Sequence, residues 1–552
     1  MAGCCGLWRD RALRIAVATV VATDDGHTEK VHSTYVLDTP SDMVLKHVLV
    51  LQRHGDRTPI TRQLGTVVRD DEPTRAFWTE RLARADGLSE RARQFKVVAC
   101  GNTARKPMAA ASVYGQLTER GVVDMIEKGA DLRRRYGALG ATGADIFVRA
   151  SPFSRTVQSA QALLAGYFKH GAEQQHQHNH NHNHNQHQQQ QQHEEGEEKE
   201  QQEEEEEEEE EWGRHLVHET KLQASQAEID GPPVQTTTSM RARAYIHVQC
   251  DVRETLWPDA GTPCARQARL LQSIMDRAPS LHVSLAADIR SAFGMTQAEP
   301  VSLVHVRELL HCHAAHDREL SLVEILDVDG LVTRINSAVM ADWAGRFNFG
   351  GHVAHSIVGG AAEIFTRETG ADSSRVKSTD ATLGALQRAH AQLAMGRFIA
   401  ELEQWLEVAG TNTTVHDCDH RTRRCEAPAS VGGTHILAAE LQALPLLAIV
   451  VAHDSTLVPT LCALGAFDEH AQWPPYASQL AFEVYDNSAG RCFLRILWNG
   501  RPLELSNLSP SHSPCLFTYD VHDVIALLRP HGRKAQLDPS RRSQACAVSE
   551  CT

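Results

Sequence analysis

No run of about 18 consecutive apolar residues occurs in the 552-residue chain, so no transmembrane helix is expected. There is no basic excess either: 55 Lys and Arg stand against 70 Asp and Glu, and no electrostatic case for nucleic acid exists. No Walker-type glycine loop is present, which removes the usual sign of a nucleoside triphosphate cradle. Aromatic residues make up only 5%, yet an apolar content of 42% is enough for a large core. The formal charge of −15 misleads. Residues 194–211 are almost all glutamate, and the chain outside them is close to neutral.

Thirteen cysteines leave one unpaired at least. The sequence-local couples Cys250 with Cys264, Cys418 with Cys425, and Cys546 with Cys551 suggest disulfides and an oxidising compartment, with reduced thiols the competing reading. Ile15 to Ala22, preceded by three arginines, reads as a β-strand, with a short signal h-region as the alternative. The compartment stays open, and so does the oligomeric state.

The order of patterns predicts an α/β protein: a mostly parallel sheet flanked by helices, with an inserted, mainly helical cap. Residues 1–44 form an N-terminal segment and 45–172 the first part of the core. Apolar runs at Val48–Gln52, Asp145–Val148 and Leu446–Ala452 read as buried strands, and Thr118–Tyr136 and Val157–Phe168 as helices. Residues 173–211, rich in Gln, His and Glu, cannot bury enough apolar surface to offset ordering entropy and are expected to be disordered. Residues 212–410 form the cap, with helices at Ala265–Ala278, Leu320–Val332 and Leu386–Val408. A loop spans 411–435. Residues 436–552 complete the core, with strands at Leu480–Tyr485 and Cys492–Trp498 joined by a hairpin turn and a helix at Val521–Leu528.

Two of the buried strands end in chemistry. Val48–Gln52 runs into Arg53-His54-Gly55-Asp56-Arg57-Thr58-Pro59, and Leu446–Ala452 runs into His453-Asp454. Ligands of open α/β sheets sit beyond the carboxyl ends of the strands. Arginine offers a planar fork that matches phosphate geometry, and neutral histidine is a competent nucleophile. The grouping therefore suits attack on a phosphate monoester, with Arg155 completing the cradle formed by Arg53 and Arg57. Asp454 is the natural proton donor and is expected to stay protonated in mild acid. Asp56 is expected to bond the arginines. His311-Cys312-His313 with His316 reads as a helix face rather than a metal site, and His416–His420 as a polar loop.

Five segments resemble the histidine acid phosphatase family, in the family's order: Arg53–Pro59 (RHGxRxP), Gly115–Gly121 (G-x-L-T-x-x-G), Val148–Thr156, Ala452–Thr456 (A-H-D) and Pro474–Ser478 (P-P-Y-A-S). The resemblance implies that His54 is the nucleophile, that Arg53, Arg57, Arg155 and His453 bind phosphate, and that Asp454 is the acid. It also implies no cofactor and no metal, and acid-favoured hydrolysis through a phosphohistidine. Members are commonly secreted, lysosomal or vesicular. The alternatives are a phytase-type inositol phosphate phosphatase, or a non-catalytic phosphate-ligand-binding protein of the same fold. The chain departs from the family at Ala150-Ser151, where Ser-Thr is usual, and at Pro152-Phe153, where an acidic residue is common. A milder departure is Ser455, which stands for threonine.

Overall fold

The computed structural model describes residues 43–99, 112–140, 145–168, 244–249, 253–258, 264–277, 281–318, 320, 322, 328–349, 381–411, 444–467, 473–511 and 518–547. The expected strand at Ile15–Ala22, the insert 173–211 and the loop from residue 412 lie outside these. Among the described residues nine strands build one sheet: β1 (Met43–Arg53), β2 (Val97–Ala99), β3 (Ile146–Ala150), β4 (Ile246–Val248), β5 (Leu447–Ala452), β6 (Gln479–Asn487), β7 (Cys492–Trp498), β8 (Arg501–Pro502) and β9 (Thr518–Asp520). Their order is β2-β4-β3-β5-β1-β6-β7-β8, with β9 on β7.

The first five in that order are mutually parallel, and β1 is also antiparallel to β6. Both faces of the parallel half are covered, which explains the continuous apolar runs of β1 and β5. Alternation sorts their side chains. Leu49, Leu51, Ala448 and Val450 face one core, which holds the helices Leu303–Ala315, Val328–Arg346 and Ala381–Ala409. Val48, Val50, Ile449 and Val451 face the other, with the helices Glu119–Tyr136 and 154–168.

The α/β class holds, with three corrections. Strand β4 lies inside the stretch read as helical. It joins the sheet between β2 and β3, and three residues are too few to show a period. The helix expected over Leu320–Val332 starts only at Val328 and runs to Arg346, and Leu320 and Leu322 are not helical. Cys264 pairs with Cys546, 282 residues away, rather than with a local neighbour. That bond joins the helix Ala265–Arg277 to the C-terminal helix Pro539–Ala547, which pack together, and spacing along the chain cannot report such packing. Cys250, Cys418, Cys425 and Cys551 lie outside the described residues. No described helix is long and apolar enough to cross a membrane.

Candidate active site

The loop after β1 is held on both sides. The His54 amide donates to the Ala452 carbonyl at 3.0 Å, and the Arg53 amide to the Ser478 carbonyl at 2.8 Å. The segment Gly115–Gly121 shapes it from outside. Thr58 N donates to Gln116 O at 2.9 Å and Thr118 N to Asp56 O at 3.1 Å, and Thr118 then caps the helix Glu119–Tyr136. Gly55 and Gly121 meet backbone to backbone. A Cβ at Gly55 would lie 2.4 Å from Gly121 O, and one at Gly121 would lie 2.2 Å from Asp56 O. Two of the matched segments are thus one piece of architecture, the second setting the shape of the first.

Three neighbouring parallel strands, β1, β5 and β3, deliver the functional side chains at the same sheet edge. The rings of His54 and His453 lie 5.5 Å apart, edge to face. Both are buried, as are Arg53, Asp56 and Arg57. His54 Nδ1 donates to the Gly55 carbonyl at 2.8 Å. A carbonyl only accepts, so Nδ1 carries the hydrogen and Nε2 presents its lone pair. Arg53 Nη2 pairs with Asp454 Oδ2 at 2.7 Å, and Trp473 Nε1 donates to the same oxygen at 3.0 Å. Ser455 N donates to Asp454 Oδ1 at 2.7 Å, at the start of the helix Asp454–Ala463. Ser151, after β3, places Oγ 2.8 Å from His453 Nε2. The Arg155 guanidinium lies 4.6 Å from the centre of the Phe153 ring and has no ion pair among the described residues.

Burial, then the charges of Arg155, Arg53, His453 and Arg57, hold the His54 pKa well below its ordinary value, so the ring is neutral in mild acid. His453 is lowered in the same way, by burial first and then by Arg155. Burial beside Arg57 brings Arg155 down to about 9. For Asp454, burial pushes upward, but Arg53, the Trp473 hydrogen bond and Arg57 outweigh it and bring the carboxyl to about 2. The expectation of a carboxyl already protonated in mild acid is therefore corrected: Arg53 holds it ionised.

Several contributors escaped the sequence reading. The helix Leu303–Ala315 lays Arg307, Glu308, His311 and Cys312 against the site. Glu308 pairs with Arg57 and accepts from Ile60 N at 3.0 Å. Cys312 Sγ is 3.2 Å from both Glu308 Oε1 and the Tyr476 hydroxyl. The Tyr476 ring lies under Arg53, 4.3 Å from its guanidinium carbon. Asp56 does not bond the arginines. Its Oδ2 accepts from Thr118 Oγ1 at 2.5 Å and from His316 Nε2 at 2.7 Å, residues that cap two different helices. A usable signal existed: 307, 308, 311 and 312 recur at helical spacing, a polar stripe among apolar residues.

Residues 44–256 and 423–499, more than half of the chain, match the model of the histidine phosphatase superfamily (branch 2). The chain belongs to that superfamily. Curated relatives match over short segments, far less than two thirds of their own length. Testicular acid phosphatase of Mus musculus is 43% identical over 61 residues, 10% of this chain and 14% of that protein. Lysophosphatidic acid phosphatase type 6 of Mus musculus is 42% identical over 50 residues, 9% of this chain and 12% of that protein. Among solved structures, Klebsiella sp ASR1 phytase aligns with 15% identity and a TM-score of 0.38, over 90% of this chain and 97% of that one. Hafnia alvei phytase with myo-inositol hexakis sulphate aligns with 12% identity and a TM-score of 0.39, over 93% and 100%.

The departures from the branch-2 pattern now have physical content. Ser151 supplies a hydroxyl to His453. Phe153, standing where an acidic residue is common, gives Arg155 an aromatic face and sets its edge against the His453 ring at 5.1 Å. Arg155 thereby keeps its charge free of a carboxylate.

Proposed function

We propose that this protein hydrolyses phosphate monoesters through a phosphohistidine intermediate. The observation that carries the reading is the convergence of one neutral, buried histidine with an open Nε2 and three guanidiniums at a single sheet edge. His54 Nε2 attacks phosphorus, forming an N–P bond as the P–O bond to the alcohol breaks. Arg53, Arg57 and Arg155 hold the phosphoryl oxygens. His453, its ring fixed by a hydrogen bond between Nε2 and Ser151 Oγ, adds a further contact to the phosphoryl group. Asp454 gives its proton to the departing oxygen, then takes one from the water that cleaves the N–P bond. Positioning and charge stabilisation supply most of the rate.

The proton on Asp454 has a definite source. Below about pH 6 a phosphate monoester is largely a monoanion. When its oxygens take over Arg53 and Arg57, which hold the Asp454 carboxyl at about 2, burial raises that carboxyl and the ester's proton passes to it, leaving the dianion on the arginines. Acid-favoured activity then follows the ionisation of the ester rather than that of the resting carboxyl. In this reading the helices between Ala265 and Ala409 act as the cap over the site.

Hydrolysis of p-nitrophenyl phosphate across roughly pH 4 to 7 tests the proposal. We expect turnover by the native chain, a loss on the order of 10⁴-fold or more in His54→Ala, and an alkali-quenched protein heavier by one phosphoryl group. A native chain as inert as His54→Ala would sink the reading and favour a phosphate-ligand-binding protein.

A further inference from the structure

We infer that His316, through its bond to Asp56, is a positioning residue: it seats the helix Leu303–Ala315 on the turn Arg53–Pro59 and so sets where the Arg57 guanidinium meets the phosphoryl oxygens. This rests on the phosphomonoesterase reading and deepens it. Asp56 precedes Arg57 in the turn and is 1% exposed. Its carbonyl accepts from Thr118 N, and its Oδ2 from Thr118 Oγ1 and His316 Nε2. Its Oδ1 is buried with no partner among the described residues, so two donors serve the whole carboxylate. A carboxylate only accepts, hence Nε2 holds the hydrogen. Only 8% of the His316 side chain is exposed. With so little water to compete, a hydrogen bond to an ionised acceptor is among the strong ones.

His316 closes the C-terminus of the helix, and Trp78 sets an edge against its ring at 5.4 Å. About two turns earlier, Glu308 pairs with Arg57 and accepts from Ile60 N. The helix therefore holds the turn at two points, on Asp56 and on its chain neighbour Arg57. Val306, Leu309 and Leu310 bury its apolar face, but apolar packing is non-directional and resists separation more than a small slide. Arg120 also reaches the Ala315 carbonyl, from an exposed position where water competes. The guanidinium shows what the seat is for. Arg57 Nη1 spends its hydrogens on the Thr58 carbonyl and on Glu308. That leaves Nε, buried without an acceptor among the described residues, and Nη2 as a side-on fork for two phosphoryl oxygens. Glu308 holds one corner of that fork, so a shift of its helix turns the fork away from the phosphoryl group.

Hydrolysis of p-nitrophenyl phosphate by His316→Leu, made with and without Arg57→Gln, is the test. In the native background we expect His316→Leu to lower kcat/KM by roughly 10–100-fold, the cost of a misaimed group. In the Arg57→Gln background no guanidinium is left to aim, and the same change should cost less than about threefold. His316→Gln, whose amide nitrogen reaches the place of Nε2, should stay within about threefold of the native protein. His316→Asn, with an amide too short to reach Oδ2, carries the cycle if the leucine protein does not fold. A merely structural role would cost the same in both backgrounds. Equal losses in the two backgrounds, a His316→Leu protein as active as the native one, or no recovery in His316→Gln would overturn the role of His316 and leave the phosphatase reading standing. No turnover by the native protein would overturn both.

Discussion

Two buried clusters of arginine lie within a few residues of each other, and they behave differently. In one, Arg149 of β3 bonds Glu401 through Nη1 and Glu254 through Nη2, both at 2.8 Å, while Arg397 donates to the Glu254 carbonyl at 2.7 Å. Two guanidiniums meet two carboxylates, all at most 3% exposed, and the charges balance within the protein. In the other cluster, six residues further along, Arg155 joins Arg53, Arg57 and Arg307. Two carboxylates, Asp454 and Glu308, face these four cations. Arg53 and Arg57, at 3% and 4% exposed, are about as buried as Arg149 and Arg397, so neither residue type nor burial distinguishes these two from the scaffold. The missing counter-charge does, because a surplus of buried positive charge is favourable only once an anion arrives.

The comparison can be broken at either cluster. The largest expected effect is on the balanced one. Glu401→Gln should lower unfolding free energy by about 3–5 kcal/mol, since Arg149 is then buried half-paired. Urea unfolding measures this, and a loss below about 1 kcal/mol would show that the cluster is not needed for folding. On the unbalanced side, Arg155→Gln should lower kcat/KM by roughly 10²–10³-fold without lowering the melting temperature. A parallel fall in both would return Arg155 to the scaffold. Asp454→Asn should come next, slowing alkyl phosphates about tenfold more than p-nitrophenyl phosphate, because only poor leaving groups need the proton. Equal losses on both would remove Asp454 from the acid role.

The smallest effect follows from proton linkage. His47, His54, His247, His311, His313, His453 and His531 are all held below their ordinary value, burial being the leading cause each time. As pH falls through about 6.5, the unfolded chain takes up protons there and the folded chain does not, so acid favours unfolding. The melting temperature should drop by a few degrees between about pH 7 and pH 5, and inorganic phosphate should recover part of the drop by binding the folded state. A melting temperature that rises toward acid would contradict the burial of these rings in neutral form.

Much of the fold was legible because parallel strands covered on both faces read as uninterrupted apolar runs, as β1 and β5 do. The site residues at their ends were legible because chain-local motifs carry them. Arg307, Glu308 and His311 were not, since their helical spacing marks a polar stripe but not that the stripe packs against the ends of β1 and β5. β4 is too short to show a period, and the Cys264–Cys546 pairing depends on two helices meeting across the molecule. The charge state of Asp454 was missed for the same reason: Arg53 is its neighbour in space, just over 400 positions away in the chain.

The contact of Gly55 with Gly121 makes one methyl group the smallest lever on this protein. An alanine at either position has nowhere to go but into the opposing main chain, so the wedge would pry the arginine-bearing turn off the helix that seats it. Such a variant should keep its sheet and lose its grip on anions, a defect invisible to circular dichroism and plain to a phosphate titration.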